Sequence, residues 1–130
     1  MNFTGDIKEL QEGINLILNE ENLNADVEVQ KGDCLKISEK DGKYKIGFSA
    51  KSEFFRGLTI LADKIKKGEK DFEVVQKKQF NSCGIMIDVS RRAVLKPETV
   101  KIIIRYMAKM GLNMMMLYTE DTFKMDKYPY

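Results

Sequence analysis

Two hydrophobic periods divide the chain. Ile7, Leu10, Ile14, Ile17 and Leu18 recur every three to four residues, predicting an amphipathic helix over residues 4 to 20, with Thr4 or Asp6 capping it and Gly13 weakening it. The Asn-rich stretch NEENLNAD ends that helix in a turn. The period then changes to two: Val27 and Val29 alternate with Asp26, Glu28 and Gln30, and after Lys31, Gly32 and Asp33 a second alternating run follows at residues 34 to 38. Asp41-Gly42 between two such runs suits a type I′ hairpin turn, after which Tyr44, Ile46 and Phe48 form one face of the next strand. The helical period returns over residues 52 to 67, where Phe54, Leu58, Leu61 and Ile65 share a face and Gly68 closes the helix. Phe72, Val74 and Val75 predict one more short strand, and Gln76 to Gln79 reads as a linker.

The second part of the chain reads differently. Residues 84 to 89 and 112 to 118 are short apolar runs, each ending polar, as buried parallel strands do. Between them, Pro97 at a first helical position, Glu98 in the first turn and Gly111 as a left-handed cap mark a helix at both ends. Val100, Ile103, Ile104, Met107 and Ala108 form its apolar stripe, expected to lie on the sheet, with Lys101, Arg105 and Lys109 opposite.

The predicted fold class is α+β. Residues 1–76 form an α-β-β-β-α-β accessory domain, a small two-layer α/β sandwich with helices on one face of a mainly antiparallel sheet, and residues 77–130 hold a βαβ unit.

A parallel βαβ unit brings both strand C-termini to one edge, where α/β proteins collect their functional groups. That edge gathers Asp88, Arg91 and Arg92 after the first strand and Tyr118, Glu120 and Asp121 after the second. Asp88 and Arg91 also have a purely structural reading, as an i, i+3 ion pair closing the strand-to-helix loop.

Composition narrows the chemistry. The chain has 130 residues, is 43% hydrophobic and 32% charged, and carries a net charge of +2, too balanced to indicate a nucleic-acid or membrane surface. With no His, and with Cys34 and Cys83 showing no ligand spacing, a metal site is not expected. No cofactor is expected either. The first residues lack the basic and apolar regions of a secretory signal, and no stretch is long enough for a membrane helix, so reduced thiols and a cytoplasmic location are expected. Lys64, Lys66, Lys67 and Lys70 are interleaved with Asp63, Glu69 and Asp71, which describes a solvated face. Met107, Met110 and Met114 to Met116 read as packing, not as a soft-metal surface.

The stretch CGIMIDVSRRAVLKPETVKIIIRYMAKMGLNMMMLYTEDTFKMDKYPY resembles the opening of the catalytic barrel in glycoside hydrolase family 20, the β-N-acetylhexosaminidases. The resemblance rests on a strand closing in Asp-x-Ser-Arg at residues 88 to 91, a helix introduced by Pro-Glu-Thr, and a second strand of Leu-Asn type leading to Leu-Tyr-x-Glu-Asp. Residues 1–76, with their FFRGL helix, are similar to the small α/β domain that often precedes that barrel. The resemblance implies the start of a (β/α)8 barrel and retaining, substrate-assisted hydrolysis of terminal N-acetylhexosamine by a full-length enzyme acting on N-acetylhexosamine glycans. It implies pocket or supporting roles for Asp88, Arg91, Tyr118, Glu120 and Asp121, with the role shared between the last two left open. Where many members carry an Arg before the first-strand Gly, this chain has Cys83, so that sugar-holding role does not carry over. The family's consecutive Asp-Glu catalytic pair follows its fourth strand, so no catalytic residue is assigned within this chain.

Two strands and one helix cannot close a barrel and leave apolar edges unpaired, which leads to the expectation of an N-terminal piece of a larger glycosidase, inactive alone and able to self-associate through those edges. The alternative is a non-catalytic α+β module that binds a protein or a carbohydrate through its sheet. A phosphate-binding βαβ protein is a weaker third reading, since SRRAVLKPE lacks the required Gly pattern.

Overall fold

The computed structural model describes residues 1–18, 23–91, 94–120 and 126–127. Ten elements follow one another: β1 (Asn2–Gly5), α1 (Gln11–Leu18), β2 (Asp26–Lys31), β3 (Leu35–Lys40), β4 (Lys43–Phe48), α2 (Lys51–Lys66), β5 (Phe72–Gln76), β6 (Gly84–Asp88), α3 (Pro97–Met110) and β7 (Met114–Tyr118). They build a five-stranded sheet in the order β1-β2-β4-β3-β5 and a separate two-stranded sheet, β6-β7. The fold is α+β, with the sandwich followed by the βαβ unit.

The large sheet is mixed rather than mainly antiparallel, because β1–β2 and β2–β4 pair parallel while β3 runs against β4 and β5. The order explains why both helices share one face. The β1-α1-β2 and β4-α2-β5 connections each join parallel strands and step in the same direction across the sheet, so right-handed crossovers place α1 and α2 on the same side. Against them the inner sheet face packs Val27, Val29, Leu35, Ile37, Ile46 and Phe48 on Leu10 just before α1, Ile14 and Ile17 of α1, and Phe54, Leu58 and Leu61 of α2, all buried. Each fully buried side chain of this size contributes about 1.5–3 kcal/mol. The outer face is polar, and pairs Lys45 with Glu28 at 2.7 Å and Lys36 with Glu73 at 2.8 Å.

The first helix is shorter than its periodicity predicts, and a strand stands before it. Asn2 to Gly5 pairs in register with Asp26 to Val29. Gly5 has φ +94, a conformation no helix passes through, and a Cβ there would lie 2.1 Å from the Val29 carbonyl oxygen. Asp6 Oδ2 then accepts the Lys31 N–H at 2.9 Å, so the segment after β1 is held to the end of β2 and Ile7 reaches the core from a turn. Helical spacing persists through Ile7 and Leu10 because both face the same core. Gly13 has a packing reason: a Cβ there would meet the Phe55 ring at 2.3 Å.

The β3–β4 hairpin turns as expected, with positive φ at both Asp41 and Gly42. Beneath it Glu39 is only 4% exposed, and accepts the N–H of Gly42 at 2.8 Å and that of Asp71. A carboxylate can stay buried there because backbone donors replace its water.

In the βαβ unit, Pro97 opens α3 and Gly111 caps it in the left-handed region with φ 79. The apolar stripe of α3 is divided between neighbours. Met107 is buried, and with Ile104 and Ala108 it borders a groove shared with Phe55 of α2, so the sandwich takes part of the face expected to lie on the sheet.

Candidate active site

β6 and β7 pair parallel with Gly84 opposite Met114, Met86 opposite Met116 and Asp88 opposite Tyr118. This register puts Asp88 and Tyr118 on one sheet face at the C-terminal edge, above Met86 and Met116. The ladder is fixed at its other end. Asn113 donates its N–H to the Cys83 carbonyl at 2.9 Å, accepts the Cys83 N–H on Oδ1 at 2.8 Å, and donates from Nδ2 to the Asn81 carbonyl at 2.8 Å. Gly84 permits the close approach of the two strands, since a Cβ there would fall 1.8 Å from the Met114 carbonyl oxygen.

At the C-terminal edge Asp88 organises the loop. Its Oδ1 accepts the Ser90 N–H at 2.9 Å and the Ser90 hydroxyl at 2.7 Å, and its Oδ2 accepts Arg91 Nε at 2.8 Å. The two Ser90 bonds, with help from Arg91, lower the Asp88 carboxyl to about pKa 2. Asp88 is therefore held in its ionised, hydrogen-bond-accepting form. Arg91 Nε also lies 3.3 Å from Glu120 Oε2, so one guanidinium bridges the residues after both strands. The Val89 N–H donates to the Tyr118 carbonyl at 2.9 Å, carrying the ladder one step past β6.

The structure thus brings Asp88, Arg91 and Glu120 into contact and sets Tyr118 beside them by register; Asp121 and Arg92 lie outside the described residues. Sequence reading gave no role to Ser90 or Asn113, although both stand in the motifs that carry the resemblance. Ser90 carried a signal, because Asp-x-Ser is the pattern in which an Asp side chain accepts from the backbone two residues on. Asn113 stood in the Leu-Asn pattern at the strand start, which carried no sign of the hydrogen bonds it makes. Among the described residues no group of three or more His, Cys, Asp or Glu is placed to hold a metal ion, and no helix is long and apolar enough to cross a membrane. Two carboxylates, a guanidinium and a phenol at an open strand edge form a set suited to hydrogen-bonding the hydroxyls of a polar, uncharged ligand.

No known family's sequence profile matches the chain, and no curated protein sequence does. Among solved structures it is similar to a GH138 enzyme targeting pectin rhamnogalacturonan II, with 16% identity and a TM-score of 0.68 over 98% of this chain and 20% of that one. The chain therefore spans about a fifth of that glycoside hydrolase, and what the two share is the fold, an α+β sandwich leading into a parallel βαβ unit.

Proposed function

We propose that this chain is the leading part of a glycoside hydrolase, in which the sandwich precedes a (β/α)8 barrel opened by β6, α3 and β7. The observation that carries the reading is the joining of Asp88, Arg91 and Glu120 at the C-terminal ends of two parallel strands, the edge at which barrel enzymes hold their substrates. The apolar surface of the unit supports it: Met86 and Met116 on the Asp88 face and Ile102 and Tyr106 on α3 are all exposed, on sides that further strands and helices of a barrel would cover. The fold shared with a GH138 enzyme agrees with a hydrolase parent.

The finer reading is retaining, substrate-assisted hydrolysis of terminal N-acetylhexosamine, and it rests on the motif resemblance. Asp88, fixed as a carboxylate, and Arg91 support the floor of the pocket, while Tyr118 and Glu120 face the sugar or the groups that act on it. The acid that protonates the leaving oxygen lies outside this chain, which is inactive alone.

The test is to express the whole reading frame and this 130-residue chain side by side and to assay both for release of 4-nitrophenol from its N-acetyl-β-hexosaminides. Release by the long protein only is expected. Activity on rhamnogalacturonan II oligosaccharides instead would keep the hydrolase and overturn the hexosaminidase. A frame that stops at Tyr130, or turnover by the short chain, would overturn the proposal itself.

A further inference from the structure

The alternation of β2 breaks at its last residue. Val27 and Val29 face the core, and the two-residue period carries Lys31 to that same helix-facing side, where the pattern asks for an apolar residue. Lys31 lies opposite the buried Phe48 of β4 in the parallel ladder. The carboxyl ends of three parallel strands, β1, β2 and β4, meet here and open on a crevice of about 410 Å3. Strand ends of this kind are where open α/β sheets bind ligands, and the volume is that of a small-molecule site. One wall of the crevice is fixed. Gly5 turns the chain with φ +94, the Asp6 N–H donates to the Val29 carbonyl at 2.9 Å, and Asp6 Oδ2 accepts the Lys31 N–H at 2.9 Å, which ties the loop after β1 to the end of β2.

Ile7, Leu10 and Phe48 give the crevice an apolar floor. At its rim the Lys51 ammonium pairs with Glu9 at 2.8 Å. The Glu9 carboxyl is lowered chiefly by that hydrogen bond, then by the charge of Lys51 and next by that of Lys31, so two ammonium groups stand around one carboxylate. Lys8 adds a third. Among the lining residues, three lysines against Asp6 and Glu9 leave one positive charge in excess. The start of α2 is not its source, because Glu53 Oε2 already accepts the Ser49 N–H, the Ser49 hydroxyl and the Ala50 N–H there. We infer that this crevice binds a sugar bearing one anionic group, a carboxylate or a phosphate, with the anion on Lys31, the apolar face of the ring over the Leu10 and Phe48 floor, and hydroxyls donating to Asp6 and Glu9. Both carboxylates keep lone pairs beyond the bonds named above. A bare inorganic anion would leave the floor unused, and a hydrocarbon acid would leave the two carboxylates unused. The site lies wholly in the sandwich and shares no residue with the Asp88 edge, so it stands or falls apart from the hydrolase reading.

The test is to titrate the isotope-labelled 130-residue chain with D-glucuronate, glucose 6-phosphate, glucose and inorganic phosphate, following its backbone amide signals by NMR. Saturable shifts at Lys8, Lys31 and Ser49 are expected with glucuronate or glucose 6-phosphate, and binding about tenfold weaker or absent with glucose and with phosphate. Saturation by glucuronate alone assigns the anion as a carboxylate, and by glucose 6-phosphate alone as a phosphate. Lys31→Met should weaken binding by about tenfold or more, while Lys31→Arg keeps most of it. Unchanged signals away from the crevice show that each variant is folded. Lys45→Met, on the opposite face of the sheet, should change binding by less than about twofold. Phosphate held as tightly as glucose 6-phosphate would make this an inorganic-anion site, and glucose held as tightly as the acids would make it a neutral one. Either result overturns the inference, as does a lack of saturation with every probe or full binding by the folded Lys31→Met variant.

Discussion

In the sandwich, residues 1–76, Val27, Ile37, Ile46, Phe54 and Leu58 are at most 1% exposed, and all the buried apolar residues of the described chain except Met107 belong to it. In residues 77–120 the same kinds of side chain face water: Phe80, Met86, Ile102, Ile104, Tyr106, Met110 and Met116 are each close to half exposed or more. Patterning is only part of the difference: the helices of both regions recur at the helical period, but the strands of the sandwich alternate whereas β6 and β7 are continuous apolar runs. The regions also differ in whether the complementary surface is present. The sandwich has two helices for one sheet face, and the crossovers put both there. The βαβ unit has one helix for two strands, and part of that helix is taken by α2. A hydrophobic pattern states that a face must be covered, not by what.

The largest effect should come from the core of the sandwich. Phe54→Ala is expected to cost about 3–5 kcal/mol, whereas Met116→Ala should stay within about 0.5 kcal/mol in this chain. Urea unfolding of the two variants measures this, and equal losses would mean that the exposed face is not exposed in solution.

Next come two glycines that occupy equivalent places. Gly5 and Gly84 each lie opposite a parallel partner, and a Cβ at either would strike that partner's carbonyl oxygen, of Val29 and of Met114. Gly5→Ala should lower global stability by about 1–3 kcal/mol, since β1 belongs to the cooperative sandwich. Gly84→Ala should instead release the β6–β7 ladder alone. Amide hydrogen exchange distinguishes them: protection lost across β2 and β4 in the Gly84 variant would break the comparison.

The smallest effect concerns acid. Asp88 is held below its ordinary 3.8, at about 2, chiefly by Ser90. A depressed carboxyl contributes stability that is present in full above its unfolded value and is lost as pH falls toward the folded one. The loop after β6 should therefore loosen between about pH 4 and pH 2, seen as faster exchange of the Ser90 amide, and Asp88→Asn should remove that pH dependence. The Ser90 amide of that variant should already exchange quickly at neutral pH. An unchanged profile would show that Asp88 does not hold the loop.

Much of this architecture could be read before any coordinates. The α2 and α3 helices carried full turns of apolar spacing and marked ends, and Asp41-Gly42 set the hairpin by local chemistry. β1 could not be read, because a four-residue edge strand is too short to show a period and Ile7 and Leu10 continue the helical spacing past it. Parallel pairing of β2 with β4 was equally invisible, since alternation fixes which face a strand buries and is silent on which strand lies beside it. At the site, Asp88, Arg91, Tyr118 and Glu120 were legible from their position after two apolar runs. Their joining through a single guanidinium was not, because it depends on the register of β6 against β7.

The three hydrogen bonds of Asn113 lie at the strand starts, the end of the ladder opposite Asp88 and Glu120. The register is thus anchored where nothing else is asked of the backbone. Loops beyond Asp88 and Tyr118 can then be lengthened, shortened or exchanged without the strands sliding past each other. Such an arrangement separates what holds the frame from the loops at its other end, and leaves those two loops free to vary while the frame is kept.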